Sequence, residues 1–143
     1  GVTVKDAVLD RRGLAYDRLW MVVDERGAFM SQRRAPKLAL VEVQLPTLPD
    51  EPLCVRAPGA EPLSIPVVCA GATQKVRCWD DWCSGMDQGN AAAAWFEAVL
   101  GIEGVRLVRM ADEENRQCCR KYAPHGSTTT FSDGFPILLA SDA

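Results

Sequence analysis

With 143 residues, 48% of them hydrophobic and 24% charged, the chain has the composition of one globular unit able to bury a core, outside the range of disordered chains. A net charge of −3 provides no overall attraction to nucleic acid or to an anionic membrane surface. No stretch approaches the ~20 apolar residues that span a bilayer, and Gly1 to Asp10 lack the charged-then-apolar plan of a signal peptide, so a soluble chain is expected.

In chain order, apolar and polar residues alternate from Val2 to Leu9, with a slip before Ala7, which predicts a half-buried strand with one irregularity. Arg11-Arg12-Gly13 punctuates it. Leu19 to Val23 is a short β-prone apolar run, Asp24-Glu25-Arg26-Gly27 supplies a turn with glycine where a positive φ is needed, and Ala28 to Ser31 resumes. This pattern predicts a hairpin. Leu38 to Leu45, bounded by Pro36 and Pro46, reads as a further strand. Six of the nine prolines fall between Pro46 and Pro66, with short apolar pieces at Leu53 to Val55 and Leu63 to Ile65. Proline cannot donate to a ladder, so edge strands and turns at a sheet's rim are expected there. Val67 to Cys69 and Lys75 to Trp79 are strand candidates.

One segment reads as helix. Asn90 is placed as its N-cap, Ala91 to Ala94 have high propensity, and Gly101 stands where a terminating glycine belongs. Ala92, Trp95, Phe96, Val99 and Leu100 share one apolar face, as core packing requires. Val105 to Val108 follows as a strand, Ala111 to Thr130 is polar and irregular, and Ile137 to Ala140 reads as a buried strand. The fold class expected is mostly β (α+β), a small β-barrel-like sheet with one amphipathic helix at about 90–100.

Six cysteines (Cys54, Cys69, Cys78, Cys83, Cys118, Cys119) are too sparse for a disulfide scaffold and are read as free thiols. No pair has the C-x-x-C spacing of a zinc site, and His125 is the only imidazole. Cys118 and Cys119 are read as two solvent-side thiols in a loop, although Arg116, Arg120 and Lys121 offer the electropositive niche that a redox-active thiolate needs.

The single histidine and the lack of G-x-S-x-G, H-E-x-x-H or a P-loop leave no self-contained catalytic set. Asp80, Asp81 and Asp87, with Trp79 and Trp82 among them, read as a solvated loop. Charge is uneven along the chain. Residues 1–45 hold eight Lys/Arg against six Asp/Glu, and residues 79–115 hold two against eight. Arg11, Arg12, Arg18, Arg33, Arg34 and Lys37 fall around the ends of the first hairpin, and guanidinium forks suit phosphate oxygens. Most of the six are expected to be solvated surface charges. Arg18, between Asp17 and the strand Leu19 to Val23, is the best anion-binding candidate; a purely structural Asp17 and Arg18 pair is the alternative.

Arg12-Gly13-Leu14, Tyr16-Asp17-Arg18-Leu19-Trp20-Met21-Val22-Val23-Asp24 and Ser31-Gln32-Arg33 together resemble the N-terminal β-barrel module of MOSC proteins. The resemblance continues through Pro36-Lys37-Leu38-Ala39-Leu40, Asp87-Gln88-Gly89 with Trp95-Phe96, Val105 to Val108, and Phe131-Ser132-Asp133-Gly134-Phe135-Pro136. It implies a MOSC N-terminal β-barrel module over residues 1–130 and the start of the following MOSC domain at 131–143, with both chain ends read as cuts within a longer protein.

MOSC proteins of this architecture include amidoxime-reducing components and the C-terminal part of molybdenum-cofactor sulfurases, and the 87–89 and 132–136 stretches resemble the former more. The implied cofactor is the molybdenum cofactor, in its molybdopterin form. Its implied contacts are the side chain of Arg18, toward the phosphate end, and the main chain of Gly134 and Phe135. The resemblance places a further lysine-serine pair upstream of Gly1 and the molybdenum-ligating cysteine beyond Ala143, so no catalytic residue and no metal ligand is expected in this chain. The whole protein is then expected to reduce N-hydroxylated substrates with electrons from haem and flavin proteins, in a mitochondrial or cytoplasmic setting, with a second MOSC domain beside this module. A sulfur-carrying sulfurase module and a non-catalytic β interaction domain are the alternatives.

Overall fold

The computed structural model describes residues 4–48, 51–67 and 71–140. Its strands are β1 (Leu9–Asp10), β2 (Gly13–Leu14), β3 (Trp20–Val23), β4 (Glu42–Gln44), β5 (Leu53–Ala57), β6 (Ala60–Ile65), β7 (Thr73–Cys78), β8 (Asp81–Asp87) and β9 (Arg106–Met110), with one α-helix, α1 (Gly89–Leu100). They form a two-stranded ribbon β1-β2, a four-stranded antiparallel sheet β3-β9-β8-β7 and a three-stranded antiparallel sheet β4-β5-β6. Among the described residues the fold is mostly β with a single α-helix, as expected.

The chain after the Asp24 turn curls the four-stranded sheet toward closure. Phe29 bridges Val23 of β3, at one edge, and Ala28 bridges Arg77 of β7, at the other. The Phe29 N–H donates to the Arg77 carbonyl and the Arg77 N–H to that of Gly27, both within ordinary hydrogen-bond length. The edges are thereby covered, as a barrel requires. Inside lie Leu19, Met21, Val23, Val76, Cys78, Cys83, Val108, Met110 and Phe131. Gly85 makes room for them, because a Cβ there would sit 3.1–3.3 Å from Val108 and Val76. The opposite face of β3 and β9 presents Val22 and Leu107 to a second core with Leu53, Val55, Ile65, Ala92, Phe96 and Leu100, contributed by the three-stranded sheet and α1. Both faces of β3 are buried, and so Leu19 to Val23 is an unbroken apolar run.

Helix α1 ends at Gly101, φ +70, as expected. Its start differs from the expectation. Asn90 lies inside the helix and accepts a hydrogen bond from Arg106, while the Asp87 carboxylate accepts from the Gly89 N–H. Asp87 supplies the acceptor that the first turn needs, so Asn90 is not required as a cap.

Other expectations are corrected. From Val4 to Asp10 the chain is exposed and only Leu9–Asp10 is strand; Val8 is 72% exposed, so the alternation there does not mark a half-buried strand. Pro36–Leu40 is a 3-10 helix, with strand only at Glu42–Gln44, because Pro36 presets the φ of a helical first turn. The proline-rich stretch forms its own sheet, with β5 central and its Leu53 and Val55 buried, instead of the rim of one sheet; Pro62 does lie on an edge strand, β6. Asp80 lies fully exposed in the turn before β8, as expected of a solvated loop, whereas Asp81 and Asp87 bound β8 and are ion-paired. Ile137 to Ala140 is neither strand nor buried, with Leu138 and Leu139 90% and 93% exposed. Of the Val67 to Cys69 strand candidate, Val68 and Cys69 lie outside the described residues.

Candidate functional site

Arg18 enters β3 from a strained bend. Tyr16 and Arg18 have φ of +66° and +48°, a region that side chains other than glycine occupy at a cost of about 1–3 kcal/mol and only when neighbours hold them there. The holding segment is Thr130–Pro136. The Phe131 N–H donates to the Arg18 carbonyl at 3.1 Å and the Thr130 hydroxyl to the Asp17 carbonyl at 2.8 Å. Phe131 itself is buried in the barrel core, so the bend is tied to packed structure.

The Arg18 guanidinium is aimed by two acceptors. Nε and Nη2 donate to Asp17 Oδ2 at 3.0 and 2.6 Å, and Nη2 also donates to the Pro136 carbonyl at 2.9 Å. Among the described residues Nη1 has no partner, and the side chain is 44% exposed. The pair with Asp17 therefore exists and still leaves one edge of the guanidinium facing outward.

Gly134 and Phe135 immediately precede Pro136. The Gly134 carbonyl accepts from the Cys119 N–H at 3.0 Å, and neither the Gly134 nor the Phe135 N–H has a partner among the described residues. The Phe135 side chain is 41% exposed. Gly13 makes the close approach possible: at φ +120°, its α-carbon lies so near Pro136 that a Cβ there would stand 2.5 Å from the proline Cβ. The Arg12-Gly13-Leu14 motif is thus part of the site's construction.

Three of the remaining basic residues are otherwise employed. Arg11 donates to Asn115 and to the Asp112 carbonyl, Arg12 to the Ala111 carbonyl, and Arg34 pairs with Asp24. Burial, then the neighbouring Arg11 charge, holds the Arg12 pKa below its ordinary value. Arg33 and Lys37 are exposed and make no ion pair among the described residues.

The stretch Ala111 to Thr130, polar and irregular in sequence, holds a buried arginine. Arg116 is 7% exposed, with Nη1 donating to the Thr130 and Ser132 carbonyls, Nη2 to Asp133 and Nε to Asp81 Oδ2. The Thr129 and Ser132 hydroxyls, both fully buried, hydrogen-bond each other. Cys118 is buried, correcting its placement as a solvent-side thiol, and burial pushes its pKa up. Burial also raises Cys78 and takes Cys83 to about 12, which makes them inert packing groups. An open groove of about 770 Å³ runs along Trp79, Trp82, Arg116, Cys119 and Gly134. Among the described residues no three His, Cys, Asp or Glu side chains could hold a metal, and no helix is long and apolar enough to cross a membrane.

The arrangement leaves Arg18 Nη1 and the Gly134 and Phe135 N–H groups without partners among the described residues, on two segments joined by the bond from Arg18 to the Pro136 carbonyl. A family model described as the MOSC N-terminal beta barrel domain matches residues 1–103. The chain belongs to this MOSC family. Relatives of this MOSC chain include mitochondrial amidoxime reducing component 2 of Rattus norvegicus, 31% identical over 140 residues, which cover 93% of the chain and 40% of the relative. The molybdenum cofactor sulfurase of Anopheles gambiae is 33% identical over 114 residues, 73% of the chain and 14% of the relative. The MOSC chain therefore spans well under half the length of these relatives. A solution structure from Bordetella bronchiseptica shares the fold, with a TM-score of 0.58 and 24% identity over 76% of this chain and 91% of that one.

Proposed function

We propose that this MOSC chain binds the phosphate end of the molybdopterin form of the molybdenum cofactor, through the Arg18 side chain and the main chain of Gly134 and Phe135. The observation that carries the reading is the meeting of Arg18 with the Pro136 carbonyl across 118 positions of sequence, which brings a half-exposed guanidinium to the segment that holds the unpaired Gly134 and Phe135 N–H groups. A phosphate there receives charge-assisted hydrogen bonds from Arg18 Nη1 and neutral ones from Gly134 and Phe135. The fork onto Asp17 fixes the guanidinium before the ligand arrives, which lowers the ordering cost of binding. When bound, molybdopterin holds the molybdenum that carries out redox chemistry; this chain's residues anchor and orient it.

The whole protein is read as an oxidoreductase that reduces N-hydroxylated substrates with electrons from haem and flavin proteins, the 131–143 stretch opening a second MOSC domain, and a mitochondrial setting is consistent with the relative of that name. A sulfurase parent is the second reading, favoured by the relatives that carry that name. Replacing Arg18 with alanine, in the protein with its flanking sequence restored, is expected to lower molybdopterin retention by about tenfold. Retention equal to that of the unchanged protein rejects the assignment.

A further inference from the structure

We propose that Arg116 is the positioning residue of this site, setting where Gly134, Phe135 and Pro136 stand relative to Arg18; the inference rests on the reading of Arg18 and this segment as the anion-binding site. Residues 129–140 contain no strand or helix, so no ladder satisfies their main-chain carbonyls. Buried carbonyls need partners, and here one side chain supplies three of them. Arg116 donates to Thr130 at 2.9 Å, Ser132 at 2.5 Å and Asp133 at 3.1 Å, the last being the residue before Gly134. Its Nε donates to Asp81 at 3.0 Å, which ties the segment to the start of β8. The Arg116 carbonyl accepts from the Thr129 N–H, and the Cys119 N–H donates to Gly134, so the strip 116–119 grips the segment from both ends.

A guanidinium with only a half-exposed carboxylate for company is a costly group to bury, and a whole buried ion pair can often be replaced by well-packed apolar residues. What an apolar residue cannot do is hold three carbonyls of an irregular segment in one fixed fan. Lysine cannot either, since a single ammonium on a flexible stem does not reproduce the planar fork. The conformation that turns the Pro136 carbonyl toward Arg18 and leaves the Gly134 and Phe135 N–H groups free therefore depends on Arg116, which itself makes no contact with Arg18 among the described residues.

The test compares Arg116→Lys, Asp81→Asn and Arg18→Ala in the protein with flanking sequence, using molybdopterin as the probe. Arg116→Lys is expected to weaken retention by about tenfold. It should also accelerate amide exchange at Phe131 and Cys119 and shift the Arg18 Nε–H resonance, while β7 and β8 stay protected. Asp81→Asn should move all three readouts in the same direction by less, and it decides the matter if Arg116→Lys does not fold. Retention unchanged in both variants while Arg18→Ala loses it overturns the positioning role and leaves the anion site standing. Retention unchanged in Arg18→Ala overturns the anion site and the positioning role together.

Discussion

Replacing Gly13 with alanine introduces a methyl group where the structure has none to spare. The new Cβ stands 2.5 Å from Pro136 Cβ, a ring atom that cannot swing aside as a flexible side chain does, and the residue must also hold φ near +120°. The backbone contribution is about 1–3 kcal/mol and relief of the overlap about 1–3 kcal/mol more, so a total near 4 kcal/mol is expected. For a chain of this size that lowers Tm by about 13 °C. Gly59→Ala is the control. It also has a positive φ, but at +76°, close to the left-handed region that other residues can enter, and nothing lies within 4 Å of its Cβ, so about 1 kcal/mol is expected. Urea unfolding of both variants measures the difference. Equal losses would refute the close approach of Gly13 to Pro136, and with it the route by which the Arg12-Gly13-Leu14 motif builds the site.

Two further predictions concern the core and its thiols. Hydrogen bonds from Arg106, at 2.5 and 2.7 Å, hold the Asp87 carboxyl below the usual carboxylate range. A depressed folded pKa contributes stability that is full above the ordinary value of about 4 and is lost as pH falls through the folded one. Asp87→Asn should therefore cost about 2 kcal/mol at pH 7, and its gap to the unchanged protein should narrow in acid; a gap constant with pH in urea titrations contradicts the pairing. Among the described cysteines, Cys54 and Cys119 are partly exposed, whereas Cys78 and Cys83 are buried with raised pKa values. Timed alkylation read by mass spectrometry should label Cys54 and Cys119 first, and early labelling of Cys83 counts against its packing in the barrel.

What was readable in the sequence follows from how local the cause is. β3, β7 and the helix with its Gly101 terminus were readable, because apolar runs and a glycine in left-handed conformation leave their marks within a few residues. Arg18 was readable as a candidate through its place at a strand's mouth, and the MOSC resemblance selected the same residue. The failures have non-local causes. Leu138 and Leu139 have the composition of a buried strand, but nothing among the described residues covers them. Val4, Ala7 and Leu9 follow the pattern of a half-buried strand, but all of Val4 to Asp10 is exposed. Arg116 sits in a polar stretch where nothing separates it from Arg120, and only the fold brings its guanidinium to carbonyls 14 to 17 positions away. The asparagine cap failed for a related reason, as Asp87, already held by Arg106, lay close enough to take the role.

The central claim is that Arg18 and the segment ending in Pro136 form one phosphate-binding site, and the most direct test is a titration of the isotope-labelled chain with molybdopterin, followed by NMR. Shifts concentrated at the Arg18 side-chain N–H groups and at the Gly134 and Phe135 amides, and abolished by Arg18→Ala, are the predicted result. Shifts confined to other surfaces, or unchanged by that substitution, would contradict it.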